Sequence, residues 1–379
     1  MAKKLRVGVI FGGRSSEHEV SVRSAASVIE AIDRKKYEVV PIAITREGKW
    51  LSPPAAAKLL TQTAQSRLPP QTDAGPQSDV AILGDPSHTG LLSFDRDGGA
   101  SSSERLDVVF PVLHGPFGED GTLQGLLEMA NIPYVGCGVL ASSCGMDKVA
   151  MKLLFLQAGL PMCKYTWFLR SHWQNDRAKT SQKVARDIGF PCFVKPANLG
   201  SSVGVSKAVD KGSLERAVDL AAGFDRKIIV EEAVDAREIE CAILGNDEPQ
   251  ASLPGEYVVH DNSAGFLDYT EKYAKTGHVD FVVPAPVSKA LVTKIQRMAI
   301  QAFQSVDGAG LARVDFFLKR GTKELLINEL NTLPGLTEVS GYPKMWAASG
   351  LSYTRMLDRL IELAFERHGE KSLNKTTLS

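Results

Sequence analysis

Four residues in the last third of the chain have types and spacing that could do chemistry. In "GLARVDFFLKRGTKELLINELN", residues 310–331, two β-rich arms flank the turn signal Arg320-Gly321-Thr322, which predicts an antiparallel hairpin. With the turn centred on Thr322, Asp315 pairs with Glu329 and Arg313 with Asn331, and alternation along each arm places all four side chains on one face. Carboxylates directly opposed across two strands repel, so something positive belongs between them. Arg313 could supply part of that charge. Two carboxylates and an amide carbonyl are also the hard oxygen donors of Mg²⁺ or Mn²⁺, ions that keep waters and borrow phosphate oxygens. On these residues alone an ordinary charged, solvated sheet face is the alternative, and a register slip of one residue would undo the arrangement.

A metal with so few protein ligands needs a phosphate partner, and "FVKPANLGSSVGVSK" (193–207) offers a place for one. Lys195 ends a strand, and Gly200, Ser201, Ser202 and Gly204 form a turn whose backbone N–H groups and hydroxyls can approach phosphate oxygens. A plain flexible hairpin loop fits the same residues. There is no GxxxxGK[ST] segment, and "GCGVLA" (136–141) imitates a dinucleotide fingerprint only once. Two further glycine loops follow predicted strands. "FGGRSSEHEVS" (11–21) carries Glu17 and Glu19 into a helix, where favourable placement at the positive helix end is a sufficient account. "HGPFGEDGTLQG" (114–125) places His114 at the carboxyl end of a strand, where α/β proteins put ligand contacts.

The elements that must position these residues read as an α+β chain. "LRVGVIFGG" is a buried strand followed by apolar residues at helical spacing, the opening of an α/β domain. Residues 53–105 are rich in Pro, Ser, Gln, Ala and Gly and read as a peripheral insertion. Helices are expected over 122–130, 148–158, 172–188, 287–306 and 353–367, with strands at "FPCFVK", "VGVSKA", "KIIVEEAV" and "EIECAILG". The expected domains are 1–135, 136–233 and 234–379. The 379 residues carry 44 basic and 44 acidic side chains, which leaves no global field to attract nucleic acid or a membrane surface. No stretch is apolar enough to span a bilayer, and the N-terminus lacks a secretory signal pattern, so a cytoplasmic protein is expected. Five scattered cysteines without a CxxC pair suggest buried thiols.

Taken together, "HGPFGEDGTLQG" and "ARVDFFLKRGTKELLINELNTLPG" resemble the two signature segments of the D-alanine:D-alanine ligases of the ATP-grasp superfamily, with "FGGRSSEHEVS", "MDK", "VKPANLGSSVGVSK" and "DYTEKY" in the expected order before or between them. The resemblance covers nearly the whole chain except 53–105. It implies a three-domain ATP-grasp architecture, with ATP between the central and C-terminal domains and the amino acids facing the N-terminal one. It implies that Lys148, Lys195, Ser201, Ser202, Gly204 and Lys272 contact ATP phosphates or close over them, with Glu231 and Glu238 on the adenine and ribose side. Asp315, Glu329 and Asn331 match metal ligands, for two Mg²⁺ ions. Glu17, Ser201 and Tyr273 resemble a hydrogen-bonded trio at the first D-alanine, with His114 approaching it. Lys272 and Ser340 match positions near the phosphate and the second substrate's carboxylate, and Arg313 with the Gly335 N–H resembles an oxyanion-binding pair. The implied reaction passes through D-alanyl phosphate, under a lid over about 260–281, for peptidoglycan synthesis. Tyr273 favours a dipeptide over an ester product, Gly341 departs from the bulkier residue common in relatives, and a homodimer is expected.

Overall fold

The computed structural model describes residues 3–63, 79–94, 99–259 and 279–375. Its first sheet contains Leu5–Gly12 (β1), Tyr37–Ile44 (β2), Trp50–Leu51 (β3), Asp79–Ala81 (β4), Gly90–Phe94 (β5), Ala100–Arg105 (β6) and Val108–Pro111 (β7), in the order β6-β5-β4-β3-β2-β1-β7. β1 pairs in parallel with β2 and β7. Its residues from Val7 to Gly12 are all buried, as befits a parallel strand covered on both faces. The stretch 53–105 is more integral than its composition predicts. It supplies the helix Pro53–Thr63, whose Ala56 and Leu60 enter the core, and three strands that widen the sheet. The reason is spacing: Ala56 and Leu60 lie one helical turn apart, and the short apolar islands are strands β4 and β5.

A second sheet, all antiparallel, consists of Tyr165–Leu169 (β8), Cys192–Pro196 (β9), Ser206–Ala208 (β10) and Lys227–Glu232 (β11), ordered β10-β9-β11-β8. The helix expected over 172–188 is two helices, Arg170–Asn175 and Arg177–Asp187. The break falls at Asp176, whose side chain accepts the Lys179 N–H at 2.9 Å and so starts a new helix rather than continuing the old one.

The third sheet holds Ala236–Gly245 (β12), Gln250–Ala251 (β13), Gly255–Val259 (β14), Val279–Val282 (β15), Gly310–Lys319 (β16) and Leu325–Asn331 (β17). Met151 and Phe155 of the helix Lys148–Gln157 are buried in the same core as Phe316, Ile327 and Leu330 of its strands. The last helix, Tyr353–Lys371, buries Met356, Leu357, Leu360 and Ile361 in the core that contains Val7, Val9 and Phe110. The end of the chain thus packs on its beginning.

The β16–β17 hairpin brings together the four residues with which the sequence reading began, by a route that simple alternation does not give. Near the turn Leu318 pairs with Leu325 and Phe316 with Ile327; beyond a register shift, Asp315 pairs with Glu329 and Arg313 with Asn331. Asn328 is the extra residue, a β-bulge. Ile327 is fully buried, so strict alternation would send Glu329 and Asn331 into the core behind it. The bulge turns Leu330 inward instead and leaves Glu329 and Asn331 on the partly exposed face.

Candidate active site

Asp147 fixes the start of the helix that carries Lys148. Its carboxylate accepts the N–H groups of Val149 and Ala150 at 3.0 and 3.1 Å and pairs with Lys227 on β11. The Lys148 N–H donates to Ala197 O at 3.0 Å. From this anchored position Lys148 Nζ donates to Leu199 O at 2.7 Å and stands 3.9 Å from Glu329 Oε2. The helix start therefore meets both the serine turn and the carboxylate hairpin.

Lys195, on β9, donates to Glu231 Oε2 at 2.6 Å, and Lys152 donates to Glu231 Oε1 at 2.8 Å. Burial disfavours all three charges, but the one carboxylate pairs with both ammoniums. Glu231 is held well below the usual carboxylate range because the two ammoniums outweigh its burial. Lys195, against its own burial, is raised to about 12 by Glu231. Glu231, 2% exposed, thus lies beneath the site with both oxygens committed to lysines.

A cavity of about 120 Å³ is lined by Lys148, Lys195, Ser201, Ser202, Glu238, Glu329 and Asn331, together with Glu119. Ser201 and Ser202 both adopt left-handed backbone, φ 54° and 56°, a conformation that turns successive N–H groups into a concavity suited to an anion. Gly204, at φ 72°, serves the turn by its size: a Cβ there would meet Phe224 at 2.8 Å and Pro196 at 2.9 Å.

Glu17 occupies the N-cap position of the helix His18–Ala31 yet makes no side-chain cap bond. Its carboxylate accepts the Ser201 hydroxyl, 184 residues away, so the capping account does not describe it. Lys272 and Tyr273, with most of the expected lid, lie outside the described residues.

Arg313 donates from Nε and Nη2 to the two oxygens of Asp315, both at 2.7 Å. Asn331 Nδ2 donates to Asp315 Oδ2 at 3.1 Å, and Glu240 Oε1 lies 3.3 Å from Arg313 Nε. Among the described residues no group of three or more His, Cys, Asp or Glu side chains is arranged to hold a metal. The donor set of Asp315, Glu329 and Asn331 nonetheless fits a hard divalent cation that takes its remaining ligands from phosphate and water.

His114 is 4% exposed, with Nδ1 3.2 Å from both Glu119 Oε1 and Leu333 O and Nε2 3.3 Å from Ser24 Oγ. Burial opposes its protonation, but Glu119 raises its pKa; burial in turn raises that of Glu119. Ser340 begins the helix Gly341–Ala348, its hydroxyl 2.6 Å from that of Thr337. Gly335 is half-buried in the loop after β17. A Cβ at Gly341 would meet Glu240 Oε2 at 2.8 Å and Phe281 Cζ at 3.0 Å, so a larger residue there would displace neighbours.

Sequence reasoning missed three residues of this site. Glu119 was legible only as one of an acidic pair between glycines. Lys152 sits four positions after Lys148, on the apolar side of its helix, and Glu240 interrupts the apolar run of β12. A charge on an otherwise apolar face was the available signal for Lys152, whereas Glu240 shares its strand face with Glu238.

Comparison with known proteins bears on the whole chain. The family model described as D-ala D-ala ligase N-terminus matches residues 6–137, and that described as D-ala D-ala ligase C-terminus matches residues 154–362. A D-alanine–D-alanine ligase of Heliobacterium modesticaldum is 47% identical over 98% of each chain. One of Natranaerobius thermophilus is 46% identical over 100% of this chain and 99% of its own. Among solved structures, the D-alanine-D-alanine ligase of Coxiella burnetii superposes with a TM-score of 0.81 at 34% identity, covering 98% of this chain and 97% of that one. The D-Ala:D-Ser ligase of Enterococcus faecalis does so with a TM-score of 0.82 at 36% identity, covering 96% and 100%. The chain belongs to the D-alanine–D-alanine ligase family, with the ATP-grasp fold, and is a ligase.

Proposed function

From membership of that family, we propose that the protein joins two D-alanine molecules into D-alanyl-D-alanine with conversion of ATP to ADP and phosphate, in the cytoplasm, for peptidoglycan synthesis. One observation carries this reading: two lysines and a left-handed serine turn face a carboxylate hairpin across a single cavity, and Glu17 is tied to that same turn. A carboxylate is a poor acyl donor, so the γ-phosphoryl group first moves to a carboxylate oxygen of one D-alanine and ADP leaves. Lys148 and Lys195 offset the charge on the phosphates, and the N–H groups around Ser201 and Ser202 hold them. Asp315, Glu329 and Asn331 would hold Mg²⁺, or Mn²⁺, which when bound neutralises phosphate charge. Glu17 holds the ammonium of the first D-alanine. The amine of the second attacks the acyl carbon, loses a proton, and phosphate departs. Arg313 and the Gly335 N–H face the oxyanion formed in that attack, and Ser340 the second carboxylate.

Lys272 and Tyr273 belong to the lid in this reading, and the protein is a homodimer. Purified protein with Mg²⁺-ATP should release ADP when offered D-alanine and not L-alanine. D-Serine or D-lactate, added with D-alanine, should yield less mixed product than D-alanyl-D-alanine. Absence of D-alanine-stimulated ADP release would refute the proposal, and a preference for D-serine would move the protein toward its D-Ala:D-Ser relative.

A further inference from the structure

Lys152 is 1% exposed, one turn after Lys148 on the helix Lys148–Gln157. An ammonium removed from water is costly unless paired and hydrogen-bonded, and its helix neighbours Met151 and Phe155 show that an apolar side chain would pack there. Its partners come from separate elements. Nζ donates to Glu231 Oε1 on β11 at 2.8 Å and to Asn328 O at 3.4 Å. Each leads to the cavity: the other Glu231 oxygen accepts Lys195, and Asn328 is the bulge residue that turns Glu329 outward. The preceding residue joins the same strand, with the Leu330 N–H donating to Met151 Sδ at 3.2 Å. The bulge is thus gripped on both sides by adjacent residues of one helix.

We propose that Lys152 is a positioning residue: a single buried ammonium that sets Lys195 on the phosphate side and Glu329 on the metal side of the site. This rests on the proposed function, in which Lys195 meets phosphate and Glu329 meets the cation. Loss of the ammonium should therefore weaken nucleotide and cation binding together while leaving the D-alanine contacts at Glu17 and Ser201 in place.

The test is Lys152→Met in the full chain, with Mn²⁺ binding in the presence of ADP followed by electron paramagnetic resonance, ADP binding by calorimetry, and steady-state kinetics. Mn²⁺ and ADP affinities should both fall about tenfold or more, the range found when supporting residues around a metal site are removed. The KM for ATP should rise, with that for D-alanine unchanged. Phe155→Leu, on the same helix and fully buried, should lower the melting temperature without moving these constants. Wild-type affinities in folded Lys152→Met would overturn the inference, as would equal losses in Phe155→Leu. If the Met variant does not fold, Lys152→Gln decides, because its shorter amide cannot serve both acceptors. Wild-type protein that binds no Mn²⁺-ADP would instead overturn the underlying functional reading.

Discussion

At the scale of single residues, the bond between Glu17 and Ser201 says most about how this site is assembled. An acidic residue at the start of a helix has an adequate local explanation in the helix dipole, and nothing in "FGGRSSEHEVS" distinguishes that use from another. The folded chain makes the choice: the Glu17 carboxylate ignores its own helix end and accepts from Ser201 on the distant serine turn. Ser201 therefore holds in place the carboxylate that the proposed function assigns to the substrate ammonium. A hydrogen bond to a charged group contributes about 1.5–3 kcal/mol, so Ser201→Ala should raise the KM for D-alanine by about 10- to 100-fold. ADP affinity, measured by calorimetry in parallel, should change far less. An equal loss of ADP affinity would assign the Ser201 hydroxyl to phosphate and remove it from the substrate site.

At the scale of elements, the hairpin shows both what was legible and what was not. Its arms, its turn and the opposition of Asp315 to Glu329 all follow from alternation and turn chemistry in the sequence. The bulge does not, because one extra residue near the turn and one residue absorbed within the turn predict the same pairing at 315 and 329. Only the burial of Ile327 and Leu330, an odd number of positions apart, reveals it. Asn328 is thus the extra residue that lets Leu330 turn inward while Glu329 and Asn331 share the face proposed to hold the cation. Its deletion makes Glu329 follow Ile327 directly, so strict alternation would itself keep Glu329 and Asn331 outward, opposite Asp315 and Arg313, and Leu330 inward. The variant should therefore unfold in urea close to the wild type and retain D-alanine-stimulated ADP release. A folded variant without ADP release would mean that the bend at the bulge, and not the facing of the side chains alone, sets the site.

At the scale of the whole molecule, periodicity in the sequence tells which helix face is buried but not against what. Hence the C-terminal helix was legible, while its packing on the first sheet was not. The stretch 53–105 was misjudged for a related reason: its composition is that of a loop, but a few correctly spaced apolar residues suffice to join a sheet edge. The buried charges beneath the site give the molecule a pH dependence that composition also could not indicate. Glu231 is held below its ordinary 4.5 by Lys152 and Lys195 despite burial. The stability it contributes is fully present above 4.5 and is lost as pH falls from there through its depressed native value. Lys195, raised from 10.5 to about 12, contributes fully below 10.5 and loses its share as pH rises through about 12. Stability from this cluster should therefore be level between those limits and fall on either side. Glu231→Gln leaves two ammoniums buried without their counter-charge, which should lower the plateau by about 3–5 kcal/mol. It should also flatten the acid limb and reverse the alkaline one, since deprotonating a lysine would then relieve repulsion. Urea unfolding from about pH 3 to about pH 12 checks both limbs, because the difference in bound protons between the folded and unfolded states sets their slopes. Parallel curves for the variant and the wild type would show that the triad contributes nothing to the pH response, and that the carboxylate of Glu231 is not held below its ordinary range.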